Sequence, residues 1–188
     1  MDNFFAIMSR MKYINRWNLM RNQKSESLSE HTFEVAYITH ALVEMHNAAG
    51  GNVNAGEAVL YALYHDVTET LTGDMPTPVK YHNEELHTAY KKVEQFANEK
   101  LCNMLPEELR GKYEKYLFPT DKKIVEFVKA ADKLSALVKC IDERQMGNAD
   151  FEKAEAGLRK KIYEIGLPEA TEFMEKYINS YGLCVDEL

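Results

Sequence analysis

The stretch SLSEHTFEVAYITHALVEMH, residues 27–46, has the pattern of a capped amphipathic helix. Ser27 and Glu30 are spaced as a capping box, in which each side chain binds the other residue's free backbone N–H. Apolar residues then recur every three or four positions, which places them on one face of a helix. They are Val35, Ile38, Leu42 and Met45. This segment therefore predicts a helix with one buried face.

The rest of the chain continues in the same way, with Gly or Pro ending most apolar stripes. We expect further helices at residues 54–73, 84–104, 106–118, 120–146, 149–165 and 168–181. In the helix expected at residues 84–104, the spacing predicts one apolar face, formed by Leu86, Tyr90, Val93, Ala97, Leu101 and Met104. Alternating strand patterns are scarce, so the fold class is all-α. Most loops are short, which favours an antiparallel helical bundle.

Length and composition are those of an ordinary globular protein. The chain has 188 residues, of which 45% are hydrophobic and 28% charged, and this suits a single domain over residues 1–188. Its formal net charge of −7 argues against a nucleic-acid polymer as partner, although a small anion can still bind a locally positive pocket. No apolar run approaches the roughly 18 residues of a membrane span, so we expect no membrane partner.

The three cysteines are isolated from one another in the sequence. Cys102, Cys140 and Cys184 form no CxxC motif and are odd in number, which favours neither a disulfide framework nor a zinc ribbon. We interpret them as buried, reduced thiols of a cytoplasmic protein.

The segment YHDVTETLTGDMPTPVKY, residues 64–81, contains a histidine and three acids within a stretch of ten residues. His65 and Glu69 are four apart and share a helix face. Adjacent His65 and Asp66 diverge by about 100° but can still converge on one ion. Imidazole and carboxylate together suit a divalent metal such as Zn, Mn, Co or Fe. Asp74 follows in a loop that two prolines stiffen.

Two residues elsewhere could complete such a site. His31 lies in the first turn of the capped helix, and Asp132 lies beside the apolar row of a later one. An acid on an apolar edge is costly unless it is paired, and a metal would pair it. Each has a simpler interpretation: Asp132 could bind Lys129 or Lys133 at the surface, and His31 could be a polar residue at a helix start. A lone His-Asp pair such as His65 and Asp66 is also weak evidence for a metal.

Residues 10–24, RMKYINRWNLMRNQK, carry five cations and no acid in an otherwise acidic chain. A guanidinium group matches phosphate bidentately, and the indole of Trp17 could pack against a sugar or a base. The alternative is a basic helix end that is merely exposed to solvent.

Together these motifs resemble the HD-domain metal-dependent phosphohydrolases. The residues concerned are SEHT with His31, YHDVTE with His65 and Asp66, and Asp132 on a later helix. INRWNLMRN, SLSEHT and TGDMPTPVKY narrow the resemblance to the YfbR-like 5′-deoxynucleotidases. It extends from Phe4 through the helix of Asp132, while the last fifty or so residues match only in helical character.

The resemblance implies hydrolysis of deoxyribonucleoside 5′-monophosphates by a cytoplasmic homodimer. It implies one divalent transition metal ion (Co, Mn, Zn, Cu or Fe) bound by His31, His65, Asp66 and Asp132. The implied catalytic residues are Arg16, which orients the phosphate, and Glu69 and Asp74, which handle protons in roles that can be exchanged. The implied substrate pocket is bordered by Arg16, Trp17, His31, Asp66, Asp74, Met75, Pro76, Thr77 and Asp132.

Two other functions remain open at this point. One is an HD hydrolase of a cyclic or polyphosphorylated nucleotide, although a polyphosphate needs more positive charge than the one basic segment supplies. The other is a non-catalytic helical binding module. Glu69 and Asp74 argue against that module, because binding alone requires no general base.

Overall fold

A computed structural model describes residues 3–80 and 82–188, and the side chain of Thr77 lies outside that description. Within these ranges the chain forms helices and no β-strand, apart from an isolated antiparallel bridge between Asn15 and Ser27. The α-helices are α1 (Phe4–Met8), α2 (Leu28–Ala48), α3 (Ala55–Tyr64), α4 (Glu69–Thr72), α5 (Thr77–Lys80), α6 (Glu84–Asn103), α7 (Glu107–Leu117), α8 (Lys122–Gln145), α9 (Glu152–Ile165) and α10 (Pro168–Lys176). The predicted all-α class is confirmed.

Helix α2 lies at the centre of the molecule, packed against α3 and α8. Its predicted capping box is present: the Glu30 N–H donates to Ser27 Oγ at 3.3 Å, and the Ser27 N–H donates to Glu30 Oε2 at 2.7 Å. Val35, Ile38 and Leu42 are fully buried on its inner face. The first turn of α2 therefore enters the interior of the bundle, and it carries His31 with it.

Two hydrophobic clusters hold the helices together. The larger joins α2, α3, α8, α9 and α10, and the smaller joins α1, α6 and α7. Ala62, near the end of α3, belongs to the larger cluster, whereas Val67 belongs to the smaller. The turn between them, which carries His65 and Asp66, is thus fixed by packing at both ends. Each large apolar side chain that is buried contributes about 1.5–3 kcal/mol.

The predicted continuous helix at residues 54–73 is wrong. Helix α3 ends at Tyr64 and α4 begins at Glu69. Between them the backbone bonds span three residues instead of four, as from the Glu69 N–H to Asp66 O at 3.0 Å. Such bonds tighten the chain toward 3₁₀ geometry. The ring Nδ1 of His65 also lies 2.7 Å from Ala62 O and occupies that carbonyl.

Several helix ends also differ from the prediction. Asp121 caps α8 by accepting from the Ile124 N–H at 3.1 Å, so the helix begins at Lys122 rather than Thr120. A 3₁₀ turn at Ala149–Phe151 precedes α9. Another at Ile178–Gly182 follows α10, which ends five residues before the predicted position 181. Periodicity alone does not detect these tighter turns, because they preserve the apolar spacing over a few residues.

The predicted apolar face of α6 is buried only in part. Tyr90, Ala97 and Leu101 are buried, but Leu86 and Val93 are 38% and 46% exposed. The α6 helix packs against α4, α5 and α7, and these short elements do not cover its whole length.

The cysteines are free thiols in three different environments. Cys140 is buried and Cys102 is half-buried, but Cys184 is exposed, so the prediction of burial is wrong for Cys184. Among the described residues no helix is both long enough and apolar enough to cross a lipid bilayer.

Candidate metal and phosphate site

Four side chains from three separate parts of the fold converge at one point. His31 comes from α2, His65 and Asp66 from the turn after α3, and Asp132 from α8. One ligand atom from each lies within 4.8 Å of all the others. Bonds of about 2.0–2.2 Å place opposite ligands of one ion up to about 4.4 Å apart. Small side-chain adjustments would therefore let all four bind a single ion.

The ring of His31 is oriented by hydrogen bonds on the side away from the cluster. His31 Nδ1 lies 3.0 Å from Ser135 Oγ, and that hydroxyl donates to Glu34 Oε2 at 2.7 Å. A hydroxyl that donates its single hydrogen to Glu34 must accept from His31, so Nδ1 carries the proton. Nε2 then presents its lone pair to the cluster, 3.2 Å from Asp132 Oδ1.

His65 is oriented in the same sense by the backbone. Its Nδ1 donates to Ala62 O at 2.7 Å, since a carbonyl can only accept. Its Nε2 lies 3.0 Å from Asp66 Oδ2. The Nε2 atoms of His65 and His31 are both buried without a hydrogen-bond partner. Buried polar atoms are rarely left unbonded, and a metal ion would satisfy both of these.

The protonation states of His31, Asp132 and Asp66 also suit a metal site. Burial lowers the pKa of His65, but the carboxylates of Asp66 and Asp132 outweigh burial and raise it. Burial, together with the nearby Arg16 charge, lowers the pKa of His31 to about 4, so its ring is neutral near pH 7. Burial alone would raise the pKa of Asp132, but the adjacent histidines outweigh it and hold that pKa at about 2. Burial likewise opposes ionisation of Asp66, yet His65, His31 and Arg16 keep its pKa below the usual value. Neutral imidazole and ionised carboxylate are the forms that bind metals.

Arg16 is half-buried beside this cluster. Its Nε donates to Glu26 Oε2 at 3.2 Å, and one terminal nitrogen lies 3.6 Å from Asp66 Oδ2. Burial lowers the Arg16 pKa, but the surrounding carboxylates, which include Asp132 and Asp74, raise it overall and keep the group charged. One guanidinium cannot neutralise four carboxylates, so the pocket favours a further cation.

Trp17 has a left-handed backbone, with φ of +58°. Bulky side chains rarely adopt this conformation, which is costly unless the surrounding structure enforces it. Here the Trp17 carbonyl accepts from the side chain of Asn22 at 3.0 Å, and its N–H bonds to the Asp74 carboxylate. The indole Nε1 donates to Glu26 Oε2 at 3.0 Å, and the ring packs 5.3 Å from that of Phe151.

Glu69 is the first residue of α4 and is only 7% exposed. Burial, with the negative charges of Asp66 and Asp74, raises its pKa to about 9. Its Oε2 is buried and makes no hydrogen bond. A carboxyl group so placed, with its pKa above the usual range, has the properties of a general acid or base.

The loop after Gly73 forms another wall of the site. Gly73 has φ of +74° and ψ of 163°, a region almost restricted to glycine. Asp74, Met75 and Pro76 follow and are half-buried, while the side chain of Thr77 lies outside the described part of the chain. Burial raises the pKa of Asp74 although Arg16 opposes it.

The far end of this loop is tied to α6. Lys80 Nζ donates to Glu94 Oε1 at 2.7 Å and lies 4.8 Å above the ring of Tyr90. These contacts join α5 to the body of the protein and limit the movement of the loop.

Comparison with known proteins now identifies the family. A model of the family described as 5′-deoxynucleotidase YfbR-like matches residues 3–181. The chain belongs to this family. YfbR-like relatives from Yersinia pestis (strain Pestoides F) and Yersinia pseudotuberculosis (serotype O:3, strain YPIII) are named 5′-deoxynucleotidase. Each is 42% identical over 193 aligned positions, which cover 100% of this chain and 97% of the relative.

Solved structures with the same fold include HD-domain phosphohydrolases. One from Listeria innocua has a TM-score of 0.83 and 23% identity, covering 95% of this chain and 88% of that one. The HD phosphohydrolase DatZ of cyanophage S-2L, bound to dA and one catalytic Zn²⁺, has a TM-score of 0.69 and 18% identity. That match covers 93% of this chain and 96% of the phage protein. At these identities the likeness establishes the fold.

Several residues that support this YfbR-like site, directly or through the basic segment, are not apparent in the sequence. Glu26 bonds to both Arg16 and Trp17, and Ser135 orients His31. Glu143 accepts from the backbone of the basic segment. Ser135 has a signal in the sequence, because it lies three residues after Asp132 and therefore shares a helix face with it. Glu26 has no comparable signal, because an acid in a polar loop is typical of solvent-exposed positions.

Proposed function

We propose that this protein hydrolyses deoxyribonucleoside 5′-monophosphates to deoxyribonucleoside and phosphate. The observation that carries the proposal is the convergence of two imidazoles and two carboxylates beside a half-buried guanidinium. Both imidazole Nε2 atoms face the cluster without a hydrogen-bond partner. Membership of the YfbR-like family supports the reaction and the class of substrate.

We propose that His31, His65, Asp66 and Asp132 together hold one divalent transition metal ion. Such an ion supplies Lewis-acid chemistry, polarising the phosphoryl group and lowering the pKa of water. Two nitrogen and two oxygen donors accept Co, Mn, Zn, Cu or Fe, so the donor set does not select among them. The DatZ structure, which has the same fold, contains zinc, one of these five metals.

Arg16 is the proposed phosphate ligand. Its Nε is engaged by Glu26, so the terminal nitrogens remain for the substrate. One of them already faces the metal cluster, at 3.6 Å from Asp66. A planar guanidinium fork matches two phosphate oxygens at once. The phosphate would then lie between Arg16 and the proposed ligands His31, Asp66 and Asp132, which border the same space.

Glu69 and Asp74 are the proposed proton carriers. Hydrolysis forms a bond from a water oxygen to phosphorus and breaks the bond from phosphorus to O5′. The water loses a proton, and O5′ must gain one to leave as a hydroxyl. We assign the first transfer to Glu69, which is buried near Asp66, and the second to Asp74, which is held by the Trp17 N–H. A cation bound at Asp66 would offset the negative charges that raise the Glu69 pKa and would favour the ionised form that accepts a proton. The reverse assignment, in which Asp74 accepts the proton of water and Glu69 protonates O5′, uses the same two residues.

The nucleoside is proposed to lie between Trp17 and the loop of Asp74, Met75, Pro76 and Thr77. The main chain joins the two sides, because the Trp17 N–H bonds to Asp74. In this arrangement the indole borders the sugar, where an added 2′-hydroxyl would be disfavoured.

We further propose a single domain over residues 1–188 that acts as a cytoplasmic homodimer. The family resemblance supports this assembly and location. Sedimentation of the purified protein measures the number of chains in the assembly.

A phosphate-release assay over a nucleotide panel tests the proposed activity. The panel contains dAMP, AMP, deoxyadenosine 3′-monophosphate, a cyclic nucleotide and dATP, each with Co, Mn, Zn, Cu and Fe. We expect release from dAMP, with AMP and the 3′-phosphate much slower. Preference for a cyclic or polyphosphorylated nucleotide would assign a different HD hydrolase, and no release with any metal would favour a binding module.

A further inference from the structure

Glu26 is half-buried between two residues of the proposed substrate pocket. Its Oε2 accepts from Arg16 Nε at 3.2 Å and from Trp17 Nε1 at 3.0 Å. The side chain is 12% exposed, the same as that of Arg16. We propose that Glu26 is a positioning residue, which holds the guanidinium and the indole in one fixed arrangement for a single nucleotide. This inference rests on the proposed function.

The backbone strengthens this coupling. The Arg16 N–H donates to Glu26 O at 2.9 Å, and the Leu28 N–H donates to Ile14 O at 2.8 Å. Residues 14–16 thus run antiparallel to residues 26–28. Glu26 therefore binds Arg16 twice, through its backbone carbonyl and through its side-chain carboxylate, and this couples the positions of the two residues.

Glu26 also determines which edge of Arg16 is available. With Nε bound to Glu26, the terminal nitrogens point toward the metal cluster, and one lies 3.6 Å from Asp66 Oδ2. Without Glu26 the guanidinium would be free to turn fully onto Asp66, since a bidentate carboxylate pair is the geometry that arginine prefers. That pairing would withdraw the phosphate ligand and occupy a metal ligand.

The loop that follows Trp17 is anchored independently of Glu26. Glu143, which is fully buried on α8, accepts from the backbone N–H of Gln23 at 2.9 Å and of Lys24 at 3.1 Å. It also accepts from the side chains of Lys139 and Asn148. Removing Glu26 should therefore disturb Arg16 and Trp17 locally while the loop remains attached to α8.

The first test is a double-mutant cycle on phosphate binding. Inhibition of dAMP hydrolysis by inorganic phosphate is measured for the metal-loaded wild type, Glu26→Ala, Arg16→Ala and the double variant. We expect Glu26→Ala to weaken phosphate inhibition roughly tenfold, because a charge-assisted contact is lost. In the Arg16→Ala background the same change should have an effect of less than about twofold, since Glu26 acts through Arg16.

The second test does not depend on turnover. Trp17 is the single tryptophan of the chain, so intrinsic fluorescence reports on its indole alone. Glu26→Ala should shift the emission to longer wavelength and make it more accessible to acrylamide. Glu26→Gln keeps an acceptor oxygen for the indole but removes the charge that faces Arg16. It should preserve the emission while weakening phosphate inhibition.

Glu44→Ala is the matched control, because it removes the same charge from an exposed position on α2. It should change neither readout. Additive effects in the double-mutant cycle, or unchanged phosphate inhibition in Glu26→Gln, would overturn the positioning role. If Glu26→Ala does not fold, the same double-mutant cycle is measured with Glu26→Gln in its place, and its result decides whether Glu26 positions Arg16. An inactive wild type would instead refute the proposed function, while the fluorescence result would still report on the contact.

Discussion

His31 Nδ1 lies 3.0 Å from Ser135 Oγ, although the two residues are 104 positions apart in the chain. The hydroxyl in turn donates to Glu34 Oε2 at 2.7 Å. This sequence of bonds places the His31 proton on Nδ1 and directs Nε2 into the cluster. A partner of this kind behind a metal-binding histidine fixes both the tautomer and the ring orientation.

Ser135→Ala should therefore weaken metal binding without abolishing it. Loss of such an outer partner typically costs 10–100-fold in metal affinity, and the measurement is a competition titration against a chelator. Helical circular dichroism should remain, because alanine fits a buried helix position. Ser180→Ala, at an exposed serine, is the control. Equal metal affinity of the two variants would show that Ser135 does not orient a ligand.

Asp66→Ala should remove both the bound metal and the activity. Asp66 lies 3.0 Å from His65 Nε2 and 3.7 Å from His31 Nε2, so its carboxylate is close to both imidazoles. The helical circular dichroism should stay largely intact, because Asp66 lies in the turn between the end of α3 and the start of α4 and belongs to neither helix. Asp186→Ala removes an exposed acid as control. An active, metal-free Asp66→Ala protein would refute the metal hypothesis.

Glu69→Gln should retain the metal but lose roughly 10²–10⁴-fold in kcat, the usual range for a general acid or base. Glutamine keeps the size of the buried side chain and removes only its ability to exchange a proton. Metal content and kcat are measured on the same preparation. A near-normal kcat would exclude a proton-transfer role, whereas loss of the metal would make Glu69 a support of the ligands.

Glu143 should make the protein sensitive to acid. Burial opposes its ionisation, but the bonds from Lys139, Gln23, Asn148 and Lys24 outweigh burial and hold its pKa at about 2. Because this pKa is below the value of about 4.3 for a free glutamate, its contribution to stability is present above pH 4.3. It is lost as the pH falls toward 2.

Unfolding of the wild type and of Glu143→Gln, followed by circular dichroism at a series of pH values, measures this contribution. The wild type should be more stable near pH 6, and the difference should shrink between pH 4.3 and pH 2. A difference that does not depend on pH would mean that Glu143 stabilises the fold by its shape alone.

The sequence was sufficient for the class of fold, and the four residues that the family resemblance implies as metal ligands lie together in the structure. Capping boxes and apolar periodicity are local signals, and α2 begins where Ser27 and Glu30 place it. The break at residues 65–68 was missed because the apolar spacing continues through it. What stops the helix is the His65 ring bound to Ala62 O, together with packing into two different clusters.

The supporting residues could not be predicted for a related reason. Glu143 lies 120 positions from the Gln23 N–H that it accepts from, and no periodic pattern links the two. Glu26 follows a basic loop, where an acid is usually solvated. Only the folded arrangement shows that one of its oxygens binds both Arg16 and Trp17. Ligand types can be inferred from residue chemistry, whereas contacts distant in sequence require the tertiary structure.

Arg16 and Trp17 should act on different parts of one substrate. Arg16 faces the metal cluster and Trp17 packs against Phe151, so the two side chains diverge from adjacent positions. Recognition of phosphate by a guanidinium is indifferent to the sugar. Arg16→Ala should therefore depress kcat/KM for dAMP and AMP together, by about 2–5 kcal/mol in transition-state free energy if the contact is desolvated.

Trp17→Ala should retain some activity and narrow the gap between dAMP and AMP, because an indole against the 2′ carbon is sensitive to an added hydroxyl. Trp17→Phe keeps an aromatic ring beside Phe151 but removes the donor to Glu26, so it separates ring contact from hydrogen bonding. The measurement is kcat/KM for both nucleotides on all variants, with Phe33→Ala, at an exposed ring, as control. If Trp17→Ala keeps the full deoxyribose preference, the sugar is recognised elsewhere, and the loop of Asp74, Met75 and Pro76 becomes the next site to change.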